Sequence, residues 1–220
     1  IERDPYNRLL TRGPRFRLSA QALRDQALVL SGLLVEKQGG AGVMPYQPPD
    51  VWSDFSLGKI RYQQGTGEDL YRRSIYTFWR RPVSPTMFFD NAGRQVCTVS
   101  PALTNTPLHA LTMLNDTTYV EAARVMAQRL LKSGDADPAE RIERAFRMAT
   151  ARQATQREVE SLARSLQRLI ARYQSDPQAA AELVRVGEAP VDESLDATEL
   201  AAYTSLMNAI LNLDEVVTKG

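Results

Sequence analysis

The sequence predicts a mainly α-helical protein in which an irregular, Gly/Pro-rich N-terminal half packs on an antiparallel helical array, with at most a small β element. Three observations lead there. Beyond residue 103, helix start signals recur at short intervals. Residues 38–69 carry Gly and Pro clusters and no sustained hydrophobic period. The composition, 43% hydrophobic and 24% charged, is that of a chain that buries a core and is neither disordered nor fibrous. At 220 residues the expectation is a single domain, with a helix and long loops over 1–103 and the helical array over 104–220.

The first element is a helix from Ser19, its N-cap, to about Lys37, because Leu23, Ala27, Leu30 and Leu34 repeat at helical spacing and Gly39-Gly40 offers a stop. Residues 38–69, with Gly39-Gly40-Ala41-Gly42 and Pro48-Pro49, read as one long loop, well above the ~12–15 residues at which structureless loops become uncommon. Over Leu70–Arg81, Tyr71, Ile75, Phe78 and Trp79 fit a helix face, although the aromatic and β-branched content also suits a strand; the spacing favours helix. Pro82, Pro85 and the turn at Asp90–Gly93 then break the chain before a short strand around Gln95–Val99.

The later starts are chemically explicit. Thr106-Pro107 reads as N-cap and first helical residue, Asp116 caps the next helix, and Asp137-Pro138 and Asp176-Pro177 repeat the pattern, the last with a stop at Gly187. Thr155 with Glu158 and Asp196 with Glu199 have capping-box spacing.

Charge and residue usage narrow the functions. The net charge is +1, but residues 1–110 hold 14 Lys/Arg against 9 Asp/Glu and residues 111–220 hold 13 against 17. Such halves suit internal or partner electrostatics, including steering toward an acidic redox partner, and lack the concentrated cationic face of a nucleic-acid binder. No apolar run is long enough to span a membrane, and the start at Ile1 without a leader pattern suits an internal or processed segment. Cys97 is the single cysteine, which excludes an internal disulfide or a Cys cluster, and no Cys-x-x-Cys-His motif is present to attach haem in this chain.

His109 is the single histidine, so any His-dependent catalysis or ligation within the chain must use it. Placed three residues after Thr106, in the first turns of a helix, it reads more readily as a structural histidine hydrogen-bonded to a carbonyl than as a base. The run from Asp69 to Arg81 interleaves four aromatic residues with Arg72, Arg73, Arg80 and Arg81, a pattern suited to glycan, phosphate or sulfate recognition, or to pairing with the chain's own carboxylates at Glu68, Asp69, Asp90 and Asp116. Asn105 could orient a ligand through its amide. The candidates for binding or for an internal polar network are therefore Arg72, Arg73, Trp79, Asp90, Asn105 and His109, with no metal site and no complete catalytic constellation.

Taken in order, several segments resemble a known family. Asn7-Arg8-Leu9-Leu10, Arg15-Phe16-Arg17-Leu18, Arg24–Ala27, Ser31-Gly32, Gly39-Gly40 and Pro45–Pro48 look like its opening. Leu70–Arg81, Phe89-Asp90, Arg94–Cys97, Thr104–Leu111 and Leu114–Asp116 follow its middle, and Glu199–Ala202 with Leu211–Glu215 its close. The family is the planctomycete-type, cytochrome-associated secreted domain known as domain of unknown function fifteen-fifty-three. The resemblance implies the later part of a larger exported protein, periplasmic or at the cell surface, with no cofactor in this chain and a c-type haem in a neighbouring domain. Its implied partners are those neighbouring domains, a redox partner or a glycan. Family members usually carry glutamine where His109 stands, which argues against an essential catalytic role there, and arginines where this chain has Ser100–Leu103. The expected role is a noncatalytic scaffold or interaction domain, and the alternative is an enzyme or ligand-binding half-site for glycan or polyanionic substrates completed by upstream domains.

Overall fold

The structure is a computed structural model that describes residues 4, 6–10, 13, 15–48, 52, 62–78, 97, 99, 104–134 and 137–219. In chain order the regular elements are β1 (Phe16–Arg17), α1 (Ala20–Ser31), α2 (Pro107–Asn115), α3 (Thr117–Leu131), α4 (Pro138–Thr150), α5 (Gln156–Ser175), α6 (Pro177–Leu183), α7 (Ala197–Leu211), α8 (Asp214–Val217) and β2 (Thr218–Lys219). The protein is mainly helical. Among the described residues its one sheet is the antiparallel pair β1–β2, with Phe16 opposite Lys219 and Arg17 opposite Thr218, which ties the early chain to its end.

Two helices form the centre. α3 buries residues on all sides, from Thr118 to Leu130, and α7 does the same from Leu200 to Leu211. A helix covered all round must be enclosed by others, and α1 and α7 pack on α3 while α5 and α6 pack on α7. Alanines at 122, 123, 127, 201 and 202 are almost wholly enclosed and let these backbones approach closely. α5, by contrast, buries only Val159, Leu166 and Tyr173 and leaves its other face to solvent.

The start signals operate as their chemistry requires. Asp116 Oδ1 accepts from Thr118 N at 2.9 Å, Asp137 from Ala139 N at 2.9 Å, Asp176 from Ala179 N at 3.0 Å and Asp196 from Glu199 N at 2.8 Å. Thr155 N donates to Glu158 Oε2 at 2.7 Å, closing a capping box at the start of α5.

Two stops differ from the sequence reading. α1 ends at Ser31, not near Lys37: Gly32 adopts φ +80°, its N–H bonds Leu28 and Val29 carbonyls, and Arg129 Nη1 donates to Leu30 O at 3.1 Å. A Cβ at Gly32 would meet that guanidinium at 2.6 Å, so the left-handed cap and its tertiary neighbour both require glycine at the stop, and Leu34 lies beyond the helix. α6 ends at Leu183, four residues before Gly187. The expected strand at 95–99 lies outside the described residues apart from Cys97 and Val99, neither of which is in a strand.

Arg152 joins the α4–α5 turn to α8, donating to Glu158 Oε1 at 2.6 Å and to Glu215 Oε2 at 2.7 Å. Those hydrogen bonds, with the Thr155 contacts, hold the Glu158 carboxyl at about 2 instead of its ordinary 4.5, and Arg152 lowers Glu215 as well. Carboxyls depressed in the folded state contribute stability that is present above pH 4.5 and lost as pH falls toward 2. Arg152→Ala is expected to flatten the dependence of unfolding free energy on pH between those values, measured by urea titration at successive pH.

Candidate functional site

Over its described residues, which end at Phe78, the Arg–aromatic segment is not the expected α-helix. Two short 3₁₀ turns, Gly67–Leu70 and Ser74–Tyr76, alternate with extended backbone that makes the parallel bridges Val35–Arg72, between the turns, and Val43–Thr77, after the second. Val35 N donates to Tyr71 O at 3.0 Å, Val43 N to Tyr76 O at 2.8 Å and Phe78 N to Val43 O at 2.7 Å. The β-branched and aromatic content prevailed over the helical spacing because residues 35–43 offer backbone partners to an extended chain.

Within it the two adjacent arginines diverge. Arg72 is 3% exposed and turns inward, donating to the carbonyls of Ala41 (2.9 Å), Lys37 (3.0 Å) and Gly39 (2.5 Å), with its guanidinium 4.1 Å from the Tyr76 ring centroid. The Gly-rich stretch 39–42 thus folds around one cation, and Tyr76 Oη accepts from Gly39 N at 2.9 Å. Among the described residues Arg72 bonds carbonyls in place of the carboxylates expected at Glu68, Asp69 and Asp116; Glu68 and Asp69 lie in the first 3₁₀ turn and Asp116 caps α3. Arg73 points outward and approaches Asp25 at 3.7 Å. It lines an open groove of about 570 Å³ with Asp25, Val29, Leu34, Lys37, Ile75 and Tyr76.

His109 is 8% exposed at the start of α2, and its Nδ1 accepts from Thr106 N at 3.1 Å. It therefore occupies the third helical position, where Glu or Gln completes a capping box. Asn105 lies exposed just before it. No contact of Arg72 or Arg73 reaches Asn105 or His109, so the described candidates fall into two separate places. Trp79 and Asp90 lie outside the described residues.

The polar interior is centred on residues the sequence reading passed over. Arg24, fully buried, donates to Leu70 O at 2.6 Å, Arg72 O at 2.8 Å and Ser74 Oγ at 3.2 Å, while Asp25 Oδ1 accepts from Ser74 N at 2.7 Å. Burial lowers the Arg24 pKa, opposed chiefly by Asp25. On α3, Glu121 and Arg124 act as a second pair. Arg124 donates to Ala189 O at 2.6 Å and Pro190 O at 3.1 Å; Glu121 Oε1 accepts from Ala189 N at 2.6 Å and from the Tyr71 hydroxyl at 3.0 Å. Tyr46 Oη accepts from Glu188 N at 2.8 Å, and burial, with Glu121 nearby, pushes the Tyr46 phenol up to about 12. The readable signal was the spacing Glu121, Arg124, Gln128 on a helix otherwise filled with small and apolar residues.

Among the described residues no group of three or more His, Cys, Asp or Glu side chains is placed to hold a metal ion, and no helix is long and apolar enough to cross a membrane. Cys97 is exposed. No match to the chain was found among curated proteins or among solved structures. The family described as Protein of unknown function (DUF1553), PSD1, matches residues 1–166, ending within α5 and short of the resemblance at 199–215. Matched over most of its length, the chain belongs to that family.

Proposed function

We propose that this chain is a noncatalytic scaffold or interaction domain of an exported, cytochrome-associated, planctomycete-type multidomain protein, with any c-type haem in a neighbouring domain. The observation that supports this reading is the orientation of Arg72: the best-placed cation of the Arg–aromatic segment bonds three carbonyls of its own chain. Export and the haem-bearing neighbour rest on the sequence resemblance.

His109 supplies the test, since it is the one imidazole available. His109→Gln places an amide oxygen where Nδ1 now accepts, so its stability is expected to stay within about 0.5 kcal/mol of the parent, while His109→Ala loses about 1 kcal/mol. Thermal unfolding of both variants measures this. Any hydrolytic or metal-dependent turnover by the chain that His109→Gln abolished would overturn the scaffold reading. A second reading, a half-site for glycan or polyanionic ligands, draws on the open groove beside Arg73 and predicts that Arg73→Ala weakens ligand binding without unfolding the chain.

A further inference from the structure

We propose that the exposed face of α5 is a docking surface for a linear anionic polysaccharide, at a place separate from the Arg73 groove and independent of the reading above. Arg157, Arg164, Arg168 and Arg172 are all exposed. At the helical repeat their positions fall within an arc of about 80° and extend along about 22 Å of the axis. Exposed Ser161, Ala171 and Ser175 share that face, and Arg168 donates to Ser165 Oγ at 3.1 Å.

Several arginines of the chain are held by its own acceptors: Arg24, Arg72 and Arg124 bond carbonyls, and Arg141 and Arg152 bond carboxylates. Among the described residues the four on α5 form no ion pair. Glu160, at the edge of the face, accepts instead from Gln156 at 3.2 Å. A straight row of guanidiniums on a rigid helix matches a chain that presents one anionic group after another, and each guanidinium can fork onto a carboxylate or sulfate.

The same face argues against other occupants. α5 exposes no large hydrophobic residue, which a protein interface needs at its centre and an amphipathic helix needs to enter a membrane. Its one aromatic residue, Tyr173, is buried and offers no stacking platform for bases, and a single row is narrower than the cationic face a duplex requires.

Affinity electrophoresis of the whole chain in gels containing polygalacturonate, dextran sulfate or neutral dextran tests the proposal. Retardation is expected in one or both charged gels, the pair separating carboxylate from sulfate recognition, and none in neutral dextran. Replacing Arg157, Arg164, Arg168 and Arg172 together by Gln, a residue of similar helix propensity, is expected to weaken binding at least about tenfold. A variant of equal charge loss at exposed Arg8, Arg147, Arg185 and Lys219 is expected to stay within about twofold, because these cations are scattered over other elements and form no row. Should the fourfold variant lose helix content, Arg164→Gln with Arg168→Gln alone is expected to weaken binding at least about threefold. Absence of retardation, equal weakening in the control variant, or equal affinity for duplex DNA or anionic phosphatidylglycerol vesicles would overturn the proposal.

Discussion

Gly187→Ala is expected to destabilise the protein by about 3–5 kcal/mol, a large effect for one methyl group. Gly187 has φ +88°, a conformation that costs an L-residue roughly 1 kcal/mol. A Cβ there would stand 2.2 Å from the Glu121 carboxyl carbon and must displace it. Displacement breaks the bonds from Ala189 N and Tyr71 Oη and leaves Arg124 buried beside no carboxylate, so a packing clash becomes an unpaired internal charge. Urea unfolding at constant m-value measures the loss. In a Glu121→Ala background the same glycine substitution is expected to cost only about 1 kcal/mol, because the obstruction is gone and the backbone strain remains.

Arg24→Ala is expected to cost about 3–5 kcal/mol by a different route. Its guanidinium is the donor to the buried carbonyls of Leu70 and Arg72, and truncation leaves both acceptors unsatisfied around a void. Arg24→Met refills much of the volume without restoring donors, so it is expected to recover part of the loss but not all. Native-state hydrogen exchange should show the defect first at residues 70–78, whose amides bond Val43 O and Asp25 Oδ1 in the same assembly. Uniform loss across α3 and α7 with residues 70–78 unaffected would contradict this arrangement.

The two arginines also define how the irregular half is joined to the helical array. Arg24 holds the 70–74 segment against α1, while Glu121 and Arg124 hold Tyr71 and residues 189–190 against α3. The described irregular segments at 37–41, 70–74 and 189–190 are therefore held by buried cations that replace the hydrogen bonds a sheet or helix would supply. Such a design needs no apolar period in the loops, which is why none is visible there.

From the sequence alone, the mainly helical class and the starts of α2 to α7 could be determined, because a cap is local: the side chain of Asp116, Asp137, Asp176 or Asp196 bonds an amide two or three residues ahead. The same locality made His109 readable as part of a helix start. Tertiary structure alone decided that 70–78 combines 3₁₀ turns with extended backbone bridged to 35–43, and that Arg72 turns in where Arg73 turns out. The partners involved are remote: Arg72 bonds carbonyls 31 to 35 residues away, and Arg124 bonds carbonyls 65 and 66 residues away. Carbonyl oxygens are present at every residue and carry no sequence signature, so which of them a buried guanidinium will meet is set only when the helices pack.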